Sequence, residues 1–344
     1  MATDISEQPA AYGRLVAPAA AARIAEVAAV VAARRPRYVM LTARGTSDHA
    51  ALYGGYLSEI RLGLPAGLGS PSTVTLFGAR ADYSQALVIG VSQSGESPDL
   101  CELVQAARAS GATTVAITNE PDSPLATIAE LVIHLDAGHE RALPATKTYT
   151  TELLALLMLI EGVRAGDGRL PAEEAAFLAT LPELAAEVLA GDEPERVASR
   201  LRFVDNLVVT GRAYGYPTAR EAAHKIMETS YVPTLAYSGA DLLHGPLAVT
   251  APRVPVLAVV GAGPGGAAMR EVVAKLSTRD TEVTVVSPTE VAGTHGRFPV
   301  PAVDERYSPL LDILPLQRLT LALAVNRGND PDAPLGITKV TPTR

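Results

Sequence analysis

An internal repeat constrains this chain more than any other feature of its 344 residues. Residues 39–44 resemble 207–212, residues 87–95 resemble 255–263, and residues 114–118 resemble 282–286. The second segment of each pair lies 168 positions after the first, as 212 follows 44, 263 follows 95 and 283 follows 115. Chance can align one pair of apolar segments, but three pairs at one offset, turn residues included, indicate a duplicated domain.

Both copies alternate short apolar runs with helical patterns. The apolar runs are continuous, which is typical of parallel strands buried on both faces. The predicted strands are 38–41, 86–91, 114–118, 131–135, 206–210, 256–260 and 282–286. Helical spacing occurs in two sets of apolar residues: Leu100, Leu103, Val104 and Ala107, then Met269, Val272, Val273 and Leu276. This alternation predicts an α/β fold of two tandem subdomains, each a doubly wound parallel sheet flanked by helices.

The repeat also sets the predicted domain boundaries. The first copy takes 21–165 and the second takes 200–330. An N-terminal segment, 1–20, precedes them, and a C-terminal tail, 331–344, follows. Residues 166–199 are rich in Ala, Glu, Leu and Pro, which favours helices joining the two copies over a flexible linker.

The charge balance narrows the class of partner. The sequence has 29 Lys and Arg residues against 37 Asp and Glu, a net charge of −8, whereas nucleic acids and anionic membranes require clustered basic residues. The apolar run 153–160 is far shorter than the ~18–20 residues of a membrane span, and residues 1–15 lack the apolar centre of a signal peptide. A single cysteine, Cys101, cannot form an internal disulfide, so a cytoplasmic protein is expected.

A run of polar donors with one glycine follows the predicted strand 86–91 and precedes a helix: Ser92, Gln93, Ser94, Gly95 and Ser97. The first N–H groups of a helix and the positive end of its dipole attract an anion, and glycine lets the backbone approach it closely. An ordinary N-cap turn is the alternative, but one hydroxyl suffices for a cap. The surplus of donors indicates an anion site at the carboxyl end of a strand, where open α/β sheets bind ligands.

A second turn, Arg44-Gly-Thr-Ser-Asp-His49, stands in the same relation to the first predicted strand. In a doubly wound sheet this turn can lie beside residues 92–97, so that Thr46 and Ser47 reach the same anion. An ordinary capped helix start is the alternative here too. We interpret His49 as a packed or capping histidine rather than a catalyst.

The second copy carries charged residues at helical spacing. Glu221, Lys225 and Glu228 share one helix face because they are three or four positions apart. Thr218-Ala-Arg-Glu221 fits a capping box and predicts that the helix starts after Pro217. Spacing alone fits a solvated row of ion pairs, and Glu221 keeps that interpretation, as a cap or an orienting partner. The helix is otherwise rich in Ala, Ile and Met, which favours a functional role for the other two.

A glycine-rich loop, Gly261-Ala-Gly-Pro-Gly-Gly266, formally fits the dinucleotide-binding pattern. Pro264 constrains that loop, and Glu282 stands at the start of the next strand rather than at the end where a ribose is held. The loop is therefore interpreted as the diverged counterpart of residues 94–97. The six histidines show no tight metal-ligand spacing, so neither a cofactor nor a metal ion is expected.

Taken together, these motifs resemble the sugar isomerase (SIS) family. The resemblance rests on Ala43-Arg-Gly-Thr-Ser-Asp-His49, Ser92-Gln-Ser-Gly-Glu-Ser-Pro-Asp99, and Ala137-Gly-His-Glu140 with Ala145-Thr-Lys147. It continues through Glu221, Lys225, Glu228, Tyr237-Ser-Gly, His244-Gly-Pro-Leu, Asp330-Pro-Asp and Lys339-Val-Thr. The resemblance covers nearly the whole chain. It includes the isomerase half of the glucosamine-6-phosphate synthases, and it is closer to the stand-alone SIS-type glucosamine-6-phosphate deaminases.

The resemblance implies a role for each of these residues. A sugar phosphate is held by side chains of the first copy, namely Thr46, Ser47, Ser92, Gln93, Ser94 and Ser97. Glu228 moves a proton between C1 and C2 of the sugar, with Lys225 as its cationic neighbour. His244 opens the sugar ring and comes from the adjacent subunit of a homodimer. Without the resemblance, a histidine before Gly-Pro would be read as a turn or core residue.

The same resemblance implies roles near the end of the first copy and in the tail. Lys339 lies in a tail that closes over the sugar, where its amine contacts or forms an imine with the open-chain carbonyl. A frayed charged terminus is the alternative for this tail. Glu140 and Lys147 flank the sugar, or they form an ion pair within a loop.

The reaction that the resemblance implies is the conversion of glucosamine 6-phosphate to fructose 6-phosphate and ammonium. The synthases release ammonia with a cysteine nucleophile of a further N-terminal domain, whereas this chain begins Met1-Ala-Thr and has only Cys101. Ala145 stands where the synthases carry serine. The alternatives are another SIS-type isomerase or an amino-acid-sugar deglycase, a non-catalytic sugar-phosphate sensor, and an NAD-dependent oxidoreductase. The sequence leaves a gluco or a galacto substrate open.

Overall fold

The computed structural model describes residues 1–250 and 252–338. The helices are α1 (Ala2–Ser6), α2 (Gln8–Val16), α3 (Pro18–Arg34), α4 (Thr46–Leu57), α5 (Pro71–Thr75), α6 (Pro98–Ala109), α7 (Pro124–Ile128), α8 (Lys147–Ala165), α9 (Ala172–Leu178), α10 (Leu181–Leu189), α11 (Glu193–Leu201), α12 (Gly215–Ser230), α13 (Gly239–Leu243), α14 (Pro264–Ser277) and α15 (Pro309–Asn326). The strands are β1 (Tyr38–Thr42), β2 (Ala66–Leu68), β3 (Ala86–Ser92), β4 (Thr113–Thr118), β5 (Leu131–His134), β6 (Leu207–Gly211), β7 (Thr234–Ser238), β8 (Val256–Val259), β9 (Val283–Ser287) and β10 (Gly296–Pro299).

One compact unit comprises mainly Glu7–Glu140 and Lys147–Pro182. Its five-stranded sheet has the order β2-β1-β3-β4-β5, and every neighbouring pair is parallel. The chain therefore reverses its direction of travel across the sheet between β1 and β3. In open α/β sheets such a switch point opens a crevice at the carboxyl ends of the two strands.

The other compact unit contains Met1–Ser6, Arg141–Thr146 and Glu183–Gly336. Its sheet has the order β10-β9-β8-β6-β7, again with every pair parallel. Read from β7, this is the strand order of the first sheet, with β6 and β8 in the places of β1 and β3. The predicted duplicated α/β fold is confirmed by the two matching topologies.

Helices with the predicted apolar spacing cover one face of each sheet. In the first unit Leu100, Leu103 and Val104 of α6 are buried in a cluster with Val88 and Ala116 of the strands. In the second unit α14 packs in the same way, through Met269, Val272, Val273 and Leu276. Burying an aliphatic side chain of this size contributes roughly 1.5–3 kcal/mol, so these helices are held by packing rather than by propensity.

The structure corrects the predicted start of α12. This helix begins at Gly215, one turn before the expected capping box, and Thr218 lies buried inside it. Pro217 fits the first turn because the N–H that it lacks has no partner within the helix there. Residues 166–199 do form helices, α9, α10 and most of α11, whereas the predicted domain boundaries stay predictions.

No single helix in the described part of the chain is long and apolar enough to cross a membrane. The bent pair α2 and α3, which meet at 61°, would pass that test together on length and composition alone.

Candidate active site

Two turns meet at the switch point of the first sheet. β1 and β3 pair in register from Tyr38 opposite Ala86 to Thr42 opposite Gly90, so their carboxyl ends lie side by side. α4 starts directly after β1, and α6 starts directly after β3. Each helix has 12 residues, so two helix N-termini, each with unpaired N–H groups and a positive dipole end, face the same edge.

The turn at 92–97 is shaped by its own side chains. The Oγ of Ser92 accepts a hydrogen bond from the Gly95 N–H at 3.1 Å, and the Oγ of Ser94 accepts one from the Glu96 N–H at 3.3 Å. Both hydroxyls act as acceptors within the turn, which leaves their O–H protons to donate to an anion. Ser97 stands at the N-cap of α6 without a side-chain cap bond, and Gln93, Ser94 and Ser97 are half-buried.

Gly95 is required at the centre of this turn. Its φ is +64°, in the left-handed region that glycine adopts without steric cost. A Cβ at this position would lie 2.2 Å from the Oγ of Ser123, and the Gly95 carbonyl accepts a hydrogen bond from the Leu125 N–H at 3.0 Å. The start of α7 therefore packs directly against the turn and fixes its backbone.

The turn after β1 is joined to α6 by an ion pair. Arg44 donates from Nε and Nη2 to one carboxylate oxygen of Asp99, at 2.8 and 2.5 Å. The second oxygen of Asp99 accepts a hydrogen bond from the Leu100 N–H at 2.8 Å. Asp99 is buried, so its charge is compensated by Arg44 rather than by water.

The predicted hydroxyl residues of α4 occupy different environments. Thr46 is half-buried at the helix start, whereas Ser47 is buried and its Oγ donates to a carboxylate oxygen of Glu152 at 2.7 Å. Glu152 lies in α8, 105 positions from Ser47, and was not among the predicted site residues. His49 is also buried, in α4. The Arg44–Asp99 pair holds the turn at 44–47 beside residues 92–97, and Thr46 rather than Ser47 has a hydroxyl that can donate to an anion there.

The charged cluster of the second unit lies on α12. The two oxygens of Glu228 have separate partners: Lys225 Nζ lies 2.5 Å from Oε2, and His224 Nε2 lies 3.0 Å from Oε1. The Glu228 side chain is 18% exposed, so it is shielded yet reachable from solvent. A carboxylate held at a fixed angle by two donors is suited to accept a proton from a bound molecule and return it.

The charge state of Glu228 follows from this geometry. Burial raises the pKa of Glu228, but the hydrogen bond from His224 and the charge of Lys225 outweigh burial and lower the pKa to about 2. The carboxylate is therefore ionised at neutral pH and can act as a base.

Glu221 and Lys225 do not lie on a solvated face, contrary to the interpretation of Glu221 as a surface residue. Both side chains are buried, and the Lys225 Nζ lies 3.7 Å from a Glu221 oxygen. Buried charges persist only when they are paired. Glu221 thus has the geometry of an orienting partner for Lys225.

Glu140 and Lys147 are also buried. The carboxylate of Glu140 accepts hydrogen bonds from the N–H groups of Lys147 at 3.3 Å and Thr148 at 2.8 Å, at the start of α8. Lys147 Nζ lies 2.5 Å from a Glu7 oxygen and donates to the His139 carbonyl at 2.5 Å. Glu140 therefore caps α8, and Lys147 forms an ion pair with Glu7, the residue directly before α2.

His244 ends α13 and is exposed, with its backbone N–H bonded to the Asp241 carbonyl at 3.0 Å. Lys339 lies outside the described residues. His224 is the residue of this cluster that the sequence analysis missed. Its spacing of four from Glu228 on the same helix was the available signal.

Comparisons with known proteins agree with this architecture. Residues 34–162 match the SIS domain family. A glutamine–fructose-6-phosphate aminotransferase (isomerizing) from Gloeobacter violaceus is 34% identical over 315 residues, which cover 88% of this chain and 51% of the relative. The chain spans about half the length of the curated relatives that it matches.

Solved structures extend the match over the whole fold. A Silicibacter pomeroyi structure, provisionally named a phosphosugar isomerase, is 34% identical with a TM-score of 0.87, covering 96% of this chain and 98% of that one. A glucosamine-6-phosphate deaminase from Thermotoga maritima shares the fold, with a TM-score of 0.78 over 99% of both chains at 21% identity. The duplicated sheets, the hydroxyl-rich turn and these matches together show that the chain belongs to the SIS domain family.

Proposed function

We propose that this chain, an enzyme of the SIS domain family, converts glucosamine 6-phosphate and water to fructose 6-phosphate and ammonium. The observation that carries the proposal is Glu228, an ionised carboxylate held between Lys225 and His224 on α12. The broader part, sugar-phosphate isomerisation, is supported by relatives that are named phosphosugar isomerase and isomerizing aminotransferase. The deaminase reaction is our more specific choice.

Phosphate recognition is assigned to the switch point of the first sheet. Residues 92–97 offer the hydroxyls of Ser94 and Ser97 and the amide of Gln93, all half-buried, next to the start of α6. Thr46 adds a hydroxyl from the start of α4. Two helix N-termini and several neutral donors suit the dianion of a phosphate ester.

Proton transfer is assigned to Glu228. In the open-chain aldehyde, the carboxylate removes the proton from C2, and the electron pair of the C–H bond forms the C1–C2 double bond. The C1 carbonyl opens at the same time, and O1 takes a proton from solvent to give an enolamine. The same carboxyl group returns the proton to C1, which leaves an iminium at C2. Lys225 lies 2.5 Å from one Glu228 oxygen, so its charge keeps the carboxylate ionised before the reaction.

Release of nitrogen completes the reaction. Water adds to the C2 iminium, and the C2–N bond of this adduct breaks. The nitrogen leaves as ammonium, and the oxygen of the water becomes the C2 carbonyl of fructose 6-phosphate. Ring opening is assigned to His244, which we propose acts in the adjacent subunit of a homodimer. Its exposure on α13 is compatible with that role.

Cys101 is not placed to act as a nucleophile. Cys101 is buried in α6, where its Sγ lies 3.7 Å from the Gly95 carbonyl oxygen. Burial raises the pKa of its thiol, and the nearby Asp99 raises it further, so Cys101 is a poor source of a thiolate nucleophile.

The test is an analysis of products from a substrate panel. The purified chain is incubated with glucosamine 6-phosphate, galactosamine 6-phosphate, an amino-acid adduct of fructose 6-phosphate, and unphosphorylated glucosamine. We expect ammonium and ketose 6-phosphate in equal amounts from an aminohexose 6-phosphate, and no turnover of glucosamine. Free amino acid from the adduct alone would replace the deaminase by a deglycase, and ketose formation without ammonium would leave an isomerase.

A further inference from the structure

The second unit retains the backbone of an anion-binding turn without its hydroxyls. Gly261–Gly266 follows β8 and leads into α14, as residues 93–97 follow β3 and lead into α6. Gly263 is the repeat counterpart of Gly95, 168 positions later. The 14-residue helix α14 therefore offers the same N–H groups and dipole as α6.

This helix start already holds an anion, and the anion belongs to the chain. One carboxylate oxygen of Glu305 accepts a hydrogen bond from the Gly265 N–H at 3.0 Å, and the other accepts one from the Gly266 N–H at 2.8 Å. Glu305 lies in the segment between β10 and α15. A phosphate or sulfate at such a turn is bound in the same way, with its oxygens accepting hydrogen bonds from successive backbone N–H groups.

The glycines of the loop leave room for this carboxylate. A Cβ on Gly263 would lie 2.5 Å from one Glu305 oxygen, and a Cβ on Gly265 would lie 2.6 Å from the other. Gly265 is the repeat counterpart of Ser97, so a serine at this position would not fit while Glu305 stays in place.

The neighbouring basic residue differs between the copies in a matching way. Arg212 is the counterpart of Arg44 in the repeat, and Ala267 stands where the first copy has Asp99. Arg212 is exposed, and its backbone carbonyl lies 3.0 Å from the Cβ that a side chain on Gly265 would have. The second turn thus keeps a cation beside it but has lost the carboxylate that pairs with that cation in the first.

We propose that Glu305 is a built-in substitute for a phosphate and that it closes a second anion site in this chain. The native chain then binds one phosphate for two copies of the repeat. Removal of the carboxylate opens a site for a phosphate or sulfate dianion at the start of α14. This proposal does not depend on the reaction that the chain catalyses.

The test is the stoichiometry of inorganic phosphate binding, measured by isothermal titration calorimetry and ³¹P NMR. Glu305→Ala is expected to bind one phosphate more per chain than the native protein, at a site that Ser94→Ala does not abolish. Glu271→Ala, on the exposed face of α14, removes an equal charge away from the turn and is expected to leave the stoichiometry unchanged. Glu305→Ser, which also vacates the turn, serves if the alanine variant does not fold.

Each outcome of this titration either supports or contradicts the proposal. An extra phosphate in a folded Glu305 variant, displaced by sulfate, supports the proposal. An unchanged stoichiometry in a folded Glu305→Ala or Glu305→Ser protein contradicts it, and so does a native chain that binds two phosphates. An equal gain in Glu271→Ala would show only a general effect of net charge and would also contradict it.

Discussion

Arg44 and Asp99 form an ion pair that joins the turn after β1 to the first turn of α6, with Nε and Nη2 at 2.8 and 2.5 Å from one carboxylate oxygen. Asp99 is buried, whereas the Arg44 side chain is 45% exposed. The pair places two helix starts side by side at the switch point of the sheet. It also neutralises a carboxylate that would otherwise repel an anionic ligand from the same place.

Loss of Arg44 is therefore expected to weaken phosphate binding. Arg44→Met leaves the Asp99 charge without its partner, and we expect the dissociation constant for glucosamine 6-phosphate to rise about tenfold, the equivalent of about 1.4 kcal/mol. Calorimetry gives the constant. The Arg44→Met, Asp99→Asn double variant removes both charges and is expected to recover part of the loss. Additive losses in this cycle would show that the pair is not coupled to binding.

Gly95→Ala is expected to destabilise the first unit by roughly 2–5 kcal/mol. The left-handed φ costs a non-glycine residue about 1–2 kcal/mol, and contact with Ser123 adds about 1–3 kcal/mol of overpacking. Gly63→Ala is the matched control, since Gly63 has φ +66° and open space around the added Cβ. Urea unfolding measures both. If the two variants lose equal stability, the close approach of Ser123 contributes nothing.

Lys225→Met is expected to raise the pKa of Glu228. Burial favours the protonated carboxyl, and the hydrogen bond from His224 and the Lys225 charge oppose it. Removing the Lys225 charge therefore raises the pKa from about 2 towards its ordinary value of 4.5. In the native protein Glu228 contributes stability above pH 4.5 that is lost as the pH falls through 2. The variant is expected to lose kcat/KM at a higher pH on the acid side, whereas Lys275→Met on α14 keeps the native profile. Identical acid limbs in Lys225→Met and native protein would exclude this coupling.

Asp312 gives the protein a stability term of the opposite sign. Its pKa is raised to about 7, mainly by burial; a hydrogen bond with Ser308 lowers the pKa and the Glu305 charge raises it. The native state therefore holds a proton that the unfolded chain releases near pH 4. The resulting stability is complete below pH 4 and is lost as the pH rises through 7.

Asp312→Asn removes this dependence. Relative to the native protein, the variant is expected to gain about 2 kcal/mol in its free energy of unfolding between pH 5 and pH 7, since each pKa unit is worth about 1.4 kcal/mol. Urea unfolding at several pH values measures the difference. Parallel stability curves for the two proteins would contradict the raised pKa of Asp312.

The central strands and one edge strand, β5, could be read from the sequence, but the other three edge strands could not. β1, β3, β4, β6, β8 and β9 are buried on both faces or nearly so, and their continuous apolar runs marked them. The unpredicted strands β2, β7 and β10 lie at sheet edges and are half-exposed, which removes that signal. β10 also ends in Pro299, a residue that disfavours prediction of a strand and is tolerated at an edge.

The same division applies to the candidate site. The turn at 92–97 was predictable because strand, turn residues and helix are contiguous in the chain. The ion pair of Arg44 with Asp99 spans 55 positions, and the hydrogen bond of Ser47 to Glu152 spans 105. No local sequence pattern predicts contacts over such separations. His224 was within reach of sequence reasoning, since it stands four residues before Glu228 on a predicted helix. A capping box at Thr218 was plausible locally, but packing extended α12 to Gly215.

Hydrogen exchange at C2 of the substrate tests the central role of Glu228 most directly. Native protein, Glu228→Gln and the exposed-site control Glu271→Gln are each given glucosamine 6-phosphate in deuterated water. NMR measures the deuterium that is incorporated at C1 and C2. An enzymatic assay measures the ammonium that is released, and calorimetry measures binding of the sugar phosphate. We expect Glu228→Gln to bind the sugar phosphate within about threefold of native protein while label transfer and ammonium release fall at least a thousandfold. Native rates of label transfer in Glu228→Gln would show that another group moves the proton, and would overturn the account.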